Sequence, residues 1–157
     1  MTSTLWVAWR RQICHAALVT SEADTLTGGR WTLLCQPGWS AELEEGCACL
    51  TKQDGVGVLL ISHAAKRRTP VTRDELQELA EAELPQTADR GVCSMGDFEG
   101  LHATYVADDA RWHRFYLSYG TLLLLVTYTV ALAQDGVEDD EVLAMLRSLC
   151  ALGDAWE

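Results

Sequence analysis

The side chains in this sequence best equipped for chemistry are its cysteines (Cys14, Cys35, Cys47, Cys49, Cys93 and Cys150) and the histidines His63, His102 and His113. A structural zinc centre takes two Cys-x-x-Cys-like or His-containing pairs. Cys47-x-Cys49 is tighter than that and no second pair accompanies it, so no metal site is expected. Cys93 with His102 or His113 has the residue types of a nucleophile and its base, the outline of a Cys/His-dependent enzyme if the fold joins them. An isolated cysteine in apolar surroundings is first a packing residue. The chain has no Gly-x-Ser-x-Gly elbow, no Walker lysine loop and no His-Glu-x-x-His, and Gly55-x-Gly57 lacks the third glycine of a dinucleotide loop. No catalytic residue and no cofactor is therefore expected. Glu42, Glu44 and Glu45 fall beside a loop, and the acidic run 138–141 sits where a helix N-terminus favours negative charge.

Lys66, Arg67, Arg68 and Arg73 form the one local basic cluster. It could touch a phosphate or an acidic peptide, but no aromatics interleave, and a solvated loop is the better reading. A more suggestive group lies on a hairpin. With Asp108-Asp109 at its tip, Tyr105 falls opposite Trp112, Ala103 opposite Arg114 and Leu101 opposite Tyr116, all on one face. Tyrosine, tryptophan and arginine are the residue types of contact hot spots. Tyr105, Trp112, Arg114 and Tyr116 are therefore the candidate partner-binding residues. The alternative is a helix covering this face, with Arg114 reaching out from its edge. On the other face His113 lies opposite Thr104 and diagonal to His102, where cross-strand packing is expected.

These residues need a scaffold. Strands are expected at Arg30–Gln36 (stopped by Pro37-Gly38), Trp39–Glu42, Cys47–Lys52 and Val56–Ser62, the last two joined by Asp54-Gly55. Thr72 and Glu75 make a capping box for a helix with Leu76, Leu79, Ala80 and Leu84 on one stripe, ended by Pro85. Gly91–Met95 is a weak strand; Leu101–Val106, Arg111–Tyr119 and Thr121–Val130 are stronger. Asp135 with Glu138 resembles a second capping box, before a helix carrying Val142, Met145, Leu146 and Leu149 and ended at Gly153. Short links favour antiparallel pairing. The nearly continuous apolar runs Val56–Ile61 and Leu122–Val126 imply strands covered on both faces. The expected fold is α+β, a three-layer α/β/α sandwich around a mainly antiparallel sheet.

The chain has 157 residues, 48% of them hydrophobic and 22% charged, which suits one globular domain. Its net charge of −11 repels phosphate backbones and suits a basic partner. The longest apolar run, Leu122–Ala133, is shorter than the ~20 residues of a spanning helix, so no membrane insertion is expected. Arg10-Arg11 precede only a short apolar run interrupted by His15, a poor export signal. Free thiols and a cytoplasmic location follow.

The run Cys35-Gln36-Pro37-Gly38-Trp39, the Thr121–Val130 strand and the last helix near Arg147-Ser148-Leu149 resemble PsbP-like domains. That superfamily includes the photosystem P-subunit, the Ran release factor and small bacterial relatives. The resemblance covers residues 28–150, dividing the chain into an N-terminal extension or extra element at 1–27 and a PsbP-like α/β domain at 28–157. It implies binding and assembly rather than catalysis, and some bacterial members resemble chaperones for type VI secretion effectors. The expected function is a non-enzymatic module for one protein partner, an adaptor or secretion-effector chaperone. The alternatives are an immunity protein capping a basic toxin and a Cys/His-dependent enzyme.

Overall fold

The computed structural model describes residues 18–19 and 25–152. The Arg10-Arg11 segment, most of the expected extension at 1–27, Cys14 and Gly153 lie outside the described residues. In chain order the elements are β1 (Leu18–Val19), β2 (Thr25–Gly28), β3 (Trp31–Leu34), β4 (Trp39–Glu44), β5 (Cys47–Lys52), β6 (Gly57–Ala65), α1 (Arg73–Glu83), β7 (Asp89–Met95), β8 (Phe98–Ala107), β9 (Ala110–Tyr119), β10 (Leu122–Ala131), a single 3-10 turn (Leu132–Gln134), α2 (Asp139–Arg147) and β11 (Cys150–Ala151).

Eight strands form one sheet in the order β1-β4-β5-β6-β10-β9-β8-β7, with antiparallel neighbours throughout. β9 and β8 meet at a two-residue turn where Asp108 and Asp109 take φ of 53° and 58°, the left-handed pair that matches the twist of a tight hairpin. That turn fixes the register: Tyr105 opposes Trp112, Ala103 opposes Arg114 and Leu101 opposes Tyr116. β2, β3 and β11 form a second, three-stranded sheet.

The expectation of a three-layer α/β/α sandwich is not met. Leu26, Trp31 and Leu33 of the small sheet share one core with Leu50, Leu59, Ile61, Phe98, Leu117 and Leu124 of the large sheet and with Val142, Met145, Leu146 and Leu149. One face of the large sheet is thus covered by strands with α2 beside them. The reason lies in β2 and β3, whose alternating buried and exposed positions suit a half-buried sheet. They pair with each other across Gly29-Arg30 instead of joining the large sheet. Among the described residues the result is mostly antiparallel β with two helices.

The other face receives α1 over β8–β10. Thr72 accepts from the Glu75 amide (3.2 Å) and the Glu75 carboxylate accepts from the Thr72 amide (3.4 Å), so the expected capping box is present. Leu76, Ala80 and Leu84 bury against Ala103, Tyr105 and Tyr116, and Val71 packs beside them. The second expected capping box does not form. Glu138 occupies the N-cap of α2 but its side chain makes no cap hydrogen bond there. It turns inward, where the amides of Val56 (3.2 Å) and Gly57 (2.9 Å) and the Tyr128 hydroxyl (2.6 Å) donate to its carboxylate. Gly57 makes this possible, because a Cβ there would overlap the Tyr128 ring. Among the described residues no helix is long and apolar enough to cross a membrane.

Candidate functional site

The structure brings the four hairpin residues together under and beside α1, with Tyr105 and Tyr116 buried and Trp112 and Arg114 half-buried. Tyr105 and Trp112 stack with ring centroids 6.1 Å apart. The Arg114 guanidinium lies 5.7 Å from the Tyr116 ring centroid and donates to Glu83 of α1 at 2.7 Å. The Tyr116 hydroxyl donates to the same carboxylate at 3.1 Å, and the Trp112 indole donates to the Ala107 carbonyl at 3.1 Å. Tyr116 is 1% exposed and Tyr105 is buried. Burial under α1 raises the Tyr116 phenol above its ordinary value. The cluster is the seat of α1, the arrangement in which a helix covers this face.

Beyond the edge of α1 the same face reaches the end of the sheet. Among the described residues β7 is the outermost strand, paired only with β8. Val92, Leu101, Tyr116 and Leu125 lie in register across β7, β8, β9 and β10, forming one row that runs from the sheet edge to beneath the helix. At its outer end Val92 is 66% exposed. A groove follows this edge, lined by Ala80 of α1 and its C-cap Leu84, Arg90 and Val92 of β7, and Leu101 and Ala103 of β8. An edge strand with free backbone donors and acceptors is a template for another strand. Sequence reasoning marked Gly91–Met95 only as a weak strand; its signal was an exposed-type composition around a single valine.

The Cys93 and Cys47 thiols are tuned away from nucleophilic chemistry. Burial pushes the Cys93 thiol up to about 11, and burial followed by Cys49 and Glu44 pushes Cys47 up to about 12. A nucleophilic thiol needs the opposite shift. No hydrogen bond joins Cys93 to an imidazole among the described residues. Cys47 and Cys49 share the face of Leu60 as packing residues.

The histidines do meet. His102 Nε2 and His113 Nδ1 are 3.2 Å apart, and the His102 ring stacks on Phe115 with centroids 4.4 Å apart. Burial first, and then the His113 charge, hold the His102 imidazole down at about 4. Burial also lowers His113, opposed by Asp139 and Asp135 and assisted by Arg111. His113, Asp135 and Asp139 each offer a ligand atom, all within 4.8 Å of one another. In the sequence Asp135 reads as the start of a capping box and Asp139 as a helix-end charge. The basic cluster gives one ion pair, Lys66 with Glu75 at 2.6 Å.

The chain shares its fold with a solved bacterial structure. That structure, at 1.50 Å resolution, is of a protein from Bacteroides thetaiotaomicron VPI-5482, with a TM-score of 0.64 and 14% identity, covering 85% of this chain and 50% of that one. The chain therefore spans about half the length of that protein. No protein-family model matches it, and no curated protein does.

Proposed function

We propose that this chain is a non-enzymatic protein-binding module that takes up an extended segment of one partner protein along β7. The observation that carries this reading is Val92, exposed at the sheet edge at the end of an apolar row leading under α1. A strand added to β7 satisfies its outer backbone groups and sets one side chain beside Val92, over the groove. The segment suited to this place has apolar side chains at alternate positions. Its parent protein is basic, because a net charge of −11 steers basic partners and repels acidic ones. Tyr105, Trp112, Arg114 and Tyr116 serve this reading from below, holding the helix that walls the groove. The raised Cys93 and Cys47 values support a non-catalytic role over a Cys/His enzyme.

An adaptor or secretion-effector chaperone is the role in keeping with the PsbP-like resemblance. An immunity protein is the second reading, favoured by the net charge alone. The two separate on salt: binding that collapses as ionic strength rises marks electrostatic capping of a toxin, and salt-tolerant binding marks apolar strand uptake. The test of the surface is Val92→Lys. It places a charge on an exposed edge position, where the fold tolerates it and added strands do not. The partner recovered with the wild-type chain is expected to be lost with Val92→Lys. Undiminished recovery, or β7 pairing with a second copy of the chain, contradicts the proposal.

A further inference from the structure

We propose that His113, Asp135 and Asp139 form a site for one divalent transition-metal ion of the zinc class, with His102 holding the His113 ring from behind. Two buried side-chain atoms of the described residues lack any hydrogen-bond partner, His113 Nε2 and Thr104 Oγ1. They belong to residues directly opposite each other on β8 and β9. Two orphaned polar atoms on directly opposed residues call for a polar partner. The carboxylates of Asp135 and Asp139 supply negative charge beside His113, with ligand atoms within 4.8 Å of an imidazole nitrogen and of each other.

The tautomer decides whether His113 can ligate. When His113 Nδ1–H donates to His102 Nε2, 3.2 Å away, the His113 Nε2 lone pair is left free and unpartnered. A second residue fixing the far nitrogen is the usual support of a metal-bound imidazole. One imidazole and two carboxylates suit zinc or manganese better than calcium or copper(I). Three protein ligands leave a fourth position open for a water. Tetrahedral ligands around zinc stand roughly 3.4 Å apart, so closure asks a movement of up to about 1.4 Å. Asp135 is exposed on the turn after β10 and is the ligand free to make it. One group opposes the ion: Arg111 Nε donates to Asp135 Oδ2 at 3.0 Å. Tyr128, also near, is committed to Glu138.

The opposing arginine makes a test that loss of folding cannot imitate. The untagged, reduced and chelator-treated chain is titrated with zinc against a chromophoric chelator, and separately with cobalt(II) to read its absorption spectrum. One zinc per chain is expected, with cobalt bands that lack thiolate charge transfer. Asp139→Asn and His113→Ala are each expected to weaken binding at least about tenfold, and His102→Phe about 10–100-fold. Arg111→Ala is expected to tighten it, because Asp135 is released. Absence of saturable one-to-one binding overturns the proposal. So does zinc affinity unchanged in Asp139→Asn, or a thiolate band in the cobalt spectrum.

Discussion

Glu138 is a buried carboxylate whose removal can be costed from the structure. It is 2% exposed and accepts three hydrogen bonds, two of them, from Gly57 and Tyr128, on Oε1 and one, from Val56, on Oε2. Glu138→Ala strands three donors in the interior, at about 1–3 kcal/mol each. The wild-type carboxylate already carries a desolvation cost that the alanine variant no longer has. The net loss expected is about 3–5 kcal/mol. Glu138→Gln behaves differently, because its carbonyl oxygen can take the Oε1 place and keep two donors. Only the Val56 amide then faces an NH2 group, for a loss of about 1–2 kcal/mol. Tyr128→Phe removes one bond to a charged acceptor, about 1.5–3 kcal/mol. The assay is urea unfolding at constant m. For a chain of this size each kcal/mol also lowers Tm by about 2–4 °C. The reasoning is refuted if the alanine variant loses under about 1 kcal/mol, or if glutamine is as damaging as alanine.

Cys93, whose thiol is pushed up to about 11 by burial, is expected to react with a thiol reagent about tenfold or more slower than the exposed Cys150; mass mapping of the labelled sites checks the order, and fast labelling of Cys93 contradicts it. Stability of the chelator-treated chain should fall as pH drops from 6.5 to 5. The folded chain holds His102 neutral with a value near 4, while the unfolded chain takes up a proton from about 6.5 downward, so the unfolded state binds more protons and gains. The full shift corresponds to about 3 kcal/mol, and solvent reaching the half-buried ring reduces it to about 1–2 kcal/mol. Unfolding curves across that range should flatten in His102→Phe, and an unchanged slope counts against the assignment. Tyr116→Ala should cost about 3–5 kcal/mol as a core truncation beneath α1, whereas a surface contact residue would lose under 1 kcal/mol, roughly; chemical denaturation separates the two.

What the sequence discloses here depends on how far apart the interacting residues are. The Thr72–Glu75 capping box and the Asp108-Asp109 turn are set by neighbours along the chain, and both appear as read, with the cross-strand pairs that follow from the turn. Asp135 and Glu138 have the same local spacing as a capping box, yet distant donors claim Glu138: Val56 lies 82 positions away and Gly57 81. The covering layer was misread because β2 sits in a Thr/Gly-rich stretch where Leu26 alone marks the buried face. A helix and a short sheet can both cover an apolar strand, and strand patterns do not say which. β7 reads weakly because an edge strand pairs on one side and tolerates Gly91 and Ser94 where a central strand would not. The approach of Asp135 and Asp139 to His113 left no mark in the sequence, since it depends on where the chain after β10 turns back.

Amide hydrogen exchange of residues 89–95, measured on the chain alone and with its recovered partner bound, tests strand uptake most directly. In the free chain the outward-facing amides of β7 should exchange quickly, and binding should slow alternate ones by at least about tenfold as new backbone hydrogen bonds form. Unchanged exchange along β7 in a complex that is otherwise intact would contradict the account.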